Sequence, residues 1–287
     1  MVFQGEGEVI LSATFQKNNQ EAEYYLKCVG KNIEERYLKV DGEKIIQEER
    51  GKGKYISREG KEKEFDVGWE GLIGKISDDY ALRHMARWRF YSFMVPKIRS
   101  EISAKKQLIL DSDGGNLAQV LLSLRTERPK TFTKIEDILK LAVPEVEELL
   151  TPLTETGNTF VAVREKGFKN PFDYRQLSDG TLRLLAYITA LNLDVDLICF
   201  EEPENFVHPK LLRLLAEILK KSDKQIILST HSPYFLDQLE PEDLIIVEKE
   251  DGKTKLRKIE EEKEKKELKT LLEEGIPLGE AYYSGAI

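Results

Sequence analysis

The sequence predicts an α/β fold in which a parallel sheet with flanking helices accompanies a separate antiparallel β subdomain. Three observations carry that prediction. Between residues 177 and 236 short apolar strands alternate with amphipathic helices, the pattern of parallel βαβ units. Residues 8 to 68 show short alternating runs broken by turn residues, the pattern of an antiparallel sheet. The chain has 287 residues and 40% hydrophobic content, enough to bury a sizeable core.

In the first region the strand candidates are EVILSATF, AEYYLKCV, RYLKV, KIIQEE, KYISR and KEFDV, with Asp41-Gly42 and Glu59-Gly60 placed as hairpin turns. Ser77 and Asp78 then offer a cap to DYALRHMARWRFYSFM, where Ala81, Met85 and Trp88 recur at helical spacing. Helices are predicted for NLAQVLLSL after a Gly-Gly turn and for TKIEDILKLA, where Thr133 and Glu136 would form a capping box. Another helix is expected to open at Pro144, before the extended stretch NTFVAVRE. Helix TLRLLAYITALNL leads to strand DLICF, and helix PKLLRLLAEILKK leads to strand QIILST, with a further helix near Pro233. The tail reads as strand DLIIVEKE, a hairpin at Asp251-Gly252 and a charge-rich helix near 258 to 274. Three regions follow: an antiparallel β lobe over 1–76, a helical subdomain and connection over 77–170, and an α/β lobe over 171–287.

Composition narrows the function classes. The net charge of -8 does not advertise a nucleic-acid binder, so any contact with phosphates would be local. Cys28 and Cys199 lack CxxC spacing, which argues against a disulfide framework or a zinc site and fits a reducing, cytoplasmic setting. No continuous apolar stretch is long enough for a membrane helix, and the first residues lack a signal-peptide layout, so no membrane partner is expected.

Chemistry concentrates in LICFEEPENFVHP, residues 197 to 209. If DLICF and QIILST are parallel neighbours, Glu201, Glu202 and His231 emerge at one carboxyl edge, where open α/β sheets bind ligands. A carboxylate pair leaving a buried strand suits a Mg²⁺ site beside a polyphosphate: one acid holds the ion or its water and the other orients an attacking water. The same acids could simply begin a loop punctuated by Pro203 and Pro209, and His208 reads as an ordinary residue near a helix start. Upstream, Ser178 or Asp179 caps a helix opening around Gly180, an end able to take an anion or to serve only as a cap.

Taken in order, LSDGT, an apolar strand ending in EEPE and a βα unit ending in STHS resemble the second half of an ATP-binding-cassette-type ATPase head, with its signature motif, Walker B strand and switch histidine. The resemblance is to predicted AAA-family ATPases grouped with RecF, the SMC proteins and the overcoming-lysogenization-defect ATPases. It spans roughly 170 to 240, and more loosely the N-terminal strands, DGGNLAQVLLSL and PLGEAYYSG. It implies a P-loop NTPase-like sheet that binds ATP and Mg²⁺. Glu201 would be the Mg²⁺-associated acid, Glu202 the residue polarising the attacking water, and His231 the switch histidine. Ser178 and Gly180 would hold the γ-phosphate of a nucleotide bound mainly by a second copy of the head, with Asp179 departing from the usual double glycine. Pro203, Glu204 and Asn205 would lie in the dimer-contact loop, and Gln4 where a Q-loop glutamine stands.

One part of that pattern is missing. No GxxxxGK[ST] phosphate loop occurs in the 287 residues; GKGKYIS and GLIGKIS share its letters without its spacing. The resemblance therefore implies a head without its first strand, P-loop and following helix, an isolated chain that is essentially inactive, and a separate P-loop-bearing segment as a candidate partner. A non-hydrolysing regulatory or binding protein that keeps the fold is the alternative. Only 56 residues follow His231, too few for the nuclease domain of the lysogenization-defect enzymes, and EEPENFVHP departs from the transporter pattern. DNA is the weaker candidate partner, through Arg83, Arg87, Arg89, Lys97, Arg99, Lys105 and Lys106, which with the aromatics between them could form a phosphate-facing surface.

Overall fold

The computed structural model describes residues 8–17, 20–29, 32–50, 52–56, 62–65, 87–205, 207, 209–259 and 262–285. The chain divides into two compact units, residues 1–87 and 88–287.

The first unit is a six-stranded antiparallel meander in chain order. Its strands are β1 (Glu8–Lys17), β2 (Gln20–Val29), β3 (Asn32–Val40), β4 (Glu43–Glu49), β5 (Lys52–Ile56) and β6 (Glu62–Phe65). Asp41 and Gly42 both take positive φ, 51° and 85°, which gives the two-residue turn that the right-handed strand twist favours. Leu38 pairs with Ile46 across β3 and β4, and both are fully buried. On the opposite face Tyr25 stacks on Tyr37 at 4.8 Å. Expected strands KYISR and KEFDV appear as β5 and β6; Ser57, Arg58, Asp66, Val67 and the Glu59-Gly60 turn lie outside the described residues.

The second unit is built on a parallel sheet of order β14-β13-β7, with β7 at Trp88–Tyr91, β13 at Leu197–Glu201 and β14 at Gln225–Ser229. Strand β13 is central and pairs in parallel on both sides. Strand β7 corrects the expected helix across 79–94; residues 79–86 lie outside the described set. The helical spacing ends at Trp88, and from there pairing with β13 buries Tyr91 and lets its ring meet Phe200 at 5.8 Å. Helix α1 (Val95–Ile98) and strand β8 (Ile102–Ser103) follow.

Helices α2 (Leu117–Glu127) and α3 (Pro129–Ala142) pack together. Helix α3 begins four residues before Thr133, because Pro129 has no N–H to lose in a first turn. The expected capping box at Thr133 is therefore not formed, and the Glu136 carboxylate instead accepts the Leu149 N–H at 2.8 Å. The helix expected at Pro144 is strand β9 (Val146–Leu150), which pairs antiparallel with β11 (Ala162–Glu165) and buries Val146 and Leu149. Short strands β10 (Asn158–Thr159) and β12 (Phe172–Asp173) flank β11 in sequence.

Helix α4 (Asp179–Asn192) is buried continuously from Leu182 to Leu191, as a helix apolar on all sides requires. Its Tyr187 meets Phe200 edge-on at 4.9 Å and Phe93 at 5.0 Å, which fixes α4 against the inner face of β13. Helix α5 (Pro209–Lys220) joins β13 to β14 and turns Leu212, Leu215, Ala216 and Leu219 into the same core. Helix α6 (Pro233–Leu236) follows β14. A smaller cluster of Ile246, Ile259, Leu268, Leu278 and Ala281 joins hairpin β15 (Ile246–Glu250) and β16 (Lys253–Arg257) to helices α7 (Glu262–Glu273) and α8 (Leu278–Tyr283). No helix among the described residues is long and apolar enough to cross a membrane.

Candidate functional site

The parallel register brings the predicted acids and histidine to one edge. Glu201, the last residue of β13, lies opposite Ser229, the last of β14. Glu202 then leaves the strand with φ of 41°, and its N–H donates to Ser229 O at 2.9 Å. That backbone costs about 1 kcal/mol for a residue with a Cβ, so the surrounding contacts must hold it. Asn205 supplies two of them: its Nδ2 donates to Glu202 Oε2 at 2.6 Å, and its N–H donates to Glu202 O at 3.1 Å. The other carboxylate oxygen, Oε1, lies 3.1 Å from His231 Nδ1.

Two further side chains lock this edge. Glu204 Oε1 accepts from the Thr230 hydroxyl at 2.6 Å and from the His231 N–H at 3.3 Å, which ties the loop after β13 to the loop after β14. Arg183, buried one turn into α4, donates to the carbonyls of Asn205 and Phe93. The start of α4 is thereby connected to the loop that orients Glu202.

At that start, Ser178 is the N-cap, and its Oγ accepts the Thr181 N–H at 3.1 Å. Asp179 ion-pairs with Arg99 at 2.5 Å, while Arg99 also donates to the carbonyls of Tyr174 and Leu177. Gly180 lies in the first turn. Ser178, Asp179 and Gly180 thus form a second group, joined to Glu202 and His231 through Arg183 and not by direct contact among the described residues. Gln4 and His208 lie outside the described residues.

The cations expected to form a phosphate-facing surface over 83–106 are dispersed among the described residues over β7, α1 and the loops around β8. Arg99 turns inward to Asp179, Lys106 pairs with Glu127 at 2.7 Å, and Arg89 donates to the Trp88 carbonyl; Arg83 lies outside the described residues. Arg99, Lys106 and Arg89 are thus engaged within the chain.

Beside the acids the sheet has a second, open face. Phe90, Cys199 and Ile227 stand in register across β7, β13 and β14, with Phe90 62% and Ile227 52% exposed. They line a shallow cavity of about 450 Å³ that reaches Glu201 and Ser229. Burial pushes the Cys199 thiol up and the Tyr91 phenol up to about 12, so neither is ionised at neutral pH. None of the described lining residues is basic. The wall offers Glu201, whose carboxylate has no hydrogen bond or ion pair among the described residues, but no lysine or arginine for a phosphate. No set of three or more His, Cys, Asp or Glu groups among the described residues could hold a metal alone. A hydrated Mg²⁺ that completes its shell with water and phosphate oxygens needs only one or two carboxylates, and Glu201 fits that demand.

Sequence reasoning missed Arg183, the pairing of Arg99 with Asp179, and the contacts of Glu204 and Asn205 with Thr230, His231 and Glu202. A lone arginine within the apolar run TLRLLAYITAL was a legible sign of a buried partner; the pairing of Arg99 with Asp179, 80 residues apart, left no local signal.

Comparison with known proteins agrees with this architecture. A 100-residue stretch is 31% identical to the ribosome protection protein VmlR of Bacillus subtilis (strain 168), covering 35% of this chain and 18% of that protein. Among solved structures, an Smc head bound to the C-terminal winged-helix domain of ScpA aligns with TM-score 0.56 and 13% identity, over 90% of this chain and 76% of that one. An Smc head from Pyrococcus furiosus, bound to the C-terminal domain of ScpA, aligns with TM-score 0.50 and 12% identity, over 88% and 75%. At such identities the likeness is one of fold alone. The family model described as "AAA domain, putative AbiEii toxin, Type IV TA system" matches residues 16–237, most of the chain, and the protein belongs to that family of ATPase-like, nucleotide-binding domains.

Proposed function

We propose that this chain is the Walker B, switch and signature half of an ATP-hydrolysing head that works as a head-to-head dimer, completed by a P-loop-bearing segment. The observation that carries the reading is the contact of Glu202 Oε1 with His231 Nδ1 at the carboxyl edge of a parallel sheet. Two groups able to take and return a proton there suit handling of an attacking water.

In this reading Glu201 would hold Mg²⁺ through a carboxylate unengaged among the described residues, and the ion would supply charge neutralisation at the phosphates. Glu202, fixed by Asn205, accepts a hydrogen bond from the water and orients it. His231 stands against Glu202 where it can sense the terminal phosphate. Ser178 and Gly180 present the amino end of α4, where backbone N–H groups favour an anion, to the γ-phosphate of a nucleotide held by the second copy. Gln4 is assigned to the Q-loop position by resemblance alone. The open face at Phe90 and Ile227 supports the missing segment, because parallel sheets are ordinarily covered on both faces.

A non-hydrolysing regulatory protein of the same fold is the second reading, favoured by the lack of any GxxxxGK[ST] in the sequence. The deciding experiment is turnover of Mg²⁺-ATP by the purified chain, alone and with a candidate P-loop segment. The proposal expects negligible turnover alone and turnover on completion that Glu202→Gln abolishes. Turnover by the chain alone, abolished by Glu202→Gln, would show that no added phosphate loop is needed. Completion without any turnover would favour the regulatory reading.

A further inference from the structure

We propose that Glu204 is the positioning residue that sets the His231 imidazole against Glu202, an inference that rests on the hydrolytic roles given above to those two residues. The His231 side chain is 66% exposed, and its side-chain partner among the described residues is Glu202. An imidazole so exposed would ordinarily sample several rotamers. What limits it is its own backbone. Glu204 Oε1 takes the His231 N–H at 3.3 Å and the hydroxyl of the preceding Thr230 at 2.6 Å. The Thr230 hydroxyl oxygen in turn accepts the N–H of Ser232 at 3.0 Å. One carboxylate oxygen thus fixes the peptide on both sides of the histidine, from a loop that belongs to the other strand.

The second oxygen of Glu204 argues that this carboxylate does not serve stability. Oε2 is buried without a hydrogen-bond partner among the described residues, an arrangement that costs free energy and that a smaller side chain would relieve. Asn205 performs the matching task for Glu202. Adjacent residues of one loop therefore hold the two halves of the contact: Asn205 sets the acid and Glu204 sets the histidine.

The test uses the full chain, uniformly ¹⁵N-labelled, without nucleotide. The sequence holds three histidines, so the ring-nitrogen spectrum is simple, and His231→Gln assigns the relevant signals. Glu202→Ala records the His231 ring signals once the carboxylate contact is lost. Glu204→Ala is expected to move the His231 signals to those same positions. It should also speed exchange of the His231 amide about fivefold or more. Glu204→Gln, which keeps one acceptor oxygen, should restore both. Thr230→Val, which removes the hydroxyl from the other end of the brace, gives the same direction of change if Glu204→Ala folds poorly.

His231 signals in Glu204→Ala that stay at their parent positions while Glu202→Ala shifts them would overturn the proposal. A Glu204→Gln chain that behaves like Glu204→Ala would do the same, as would a Glu202→Ala chain whose His231 signals do not move at all. Because these readings need no nucleotide, they can fail while ATP turnover on completion succeeds, and the reverse, so the two failures are distinguishable.

Discussion

Replacing Gly279 by alanine sets local propensity against packing and asks which wins. Gly279 is in the first turn of α8, and its N–H donates to Asp237 Oδ1 at 2.8 Å. A Cβ on this residue would sit 2.6 Å from Pro233 Cα and 2.7 Å from Pro233 C, with the Pro233 carbonyl oxygen in the same path. These are backbone atoms of α6, so no side-chain rotation relieves the clash. Helix propensity favours alanine by about 1 kcal/mol. Because the clash is with backbone, forcing the two helices apart falls at the upper end of overpacking costs, about 2–3 kcal/mol, and it also loosens Leu278 and Ala281, both buried in the smaller core. The expected net is a loss of about 1–2 kcal/mol, a fall in Tm of roughly 2–8 °C for a unit of this size. Differential scanning calorimetry of the parent, Gly279→Ala and the same-helix control Glu280→Ala measures it, with the control expected within about 0.5 kcal/mol of the parent. A Gly279→Ala chain as stable as the parent, or more stable, would refute the reasoning. The contact also bears on the site, because Pro233 is two residues beyond His231.

Three other outcomes follow from the same contacts. Ser178→Ala removes the acceptor of the Thr181 N–H and should cost about 1 kcal/mol in urea unfolding, with Ser178→Asp recovering most of it. Arg183→Leu leaves the Asn205 and Phe93 carbonyls without their buried cationic donor and should cost about 3 kcal/mol; Arg183→Lys should rescue little, since one ammonium does not reproduce a planar fork. Asp173 is held below its ordinary value of 3.8 chiefly by the Arg175 side chain. The folded state therefore binds this proton less readily, so the stability it contributes is present above pH of about 4 and is lost as pH falls through the lowered value. Arg175→Gln should flatten that acid limb in urea midpoints collected between about pH 5 and 3, and an unchanged limb would count against the pairing.

The fold was legible where periodicity and partners agree. The βαβ unit of β13, α5 and β14 reads directly from two apolar runs around an amphipathic helix, and the Asp41-Gly42 hairpin from its turn chemistry. Where the sequence misled, a distant partner decided. Trp88 to Tyr91 continue a stretch with helical spacing but become a strand because β13 offers an edge more than a hundred residues away. Val146 to Leu150 follow a proline suited to open a helix but pair with β11 instead. Thr133 and Glu136 have capping-box spacing, but Pro129 starts the helix a turn earlier and Leu149 claims the carboxylate. Each error has one cause: local propensity amounts to a fraction of a kcal/mol per residue, and burying a side chain such as Tyr91 or Leu149 is worth several times that.

The site shows the same division between local and distant information, and it bears on whether the acid edge is built for chemistry. The order of EEPEN and STHS places Glu202 and His231 near one another, but nothing in those letters fixes their orientation. Orientation comes from Asn205, Glu204 and Arg183, and it is obtained against a cost: a left-handed glutamate and a carboxylate oxygen buried without a partner among the described residues. Neither lowers the free energy of folding compared with a glycine at the turn and a smaller side chain beside it. Together they define where one carboxylate and one imidazole stand to within a hydrogen bond. Strain of this kind, gathered on two adjacent loops at the end of a parallel sheet, is expected of a site that must hold a water in line, and it supports the hydrolytic reading over a purely architectural one.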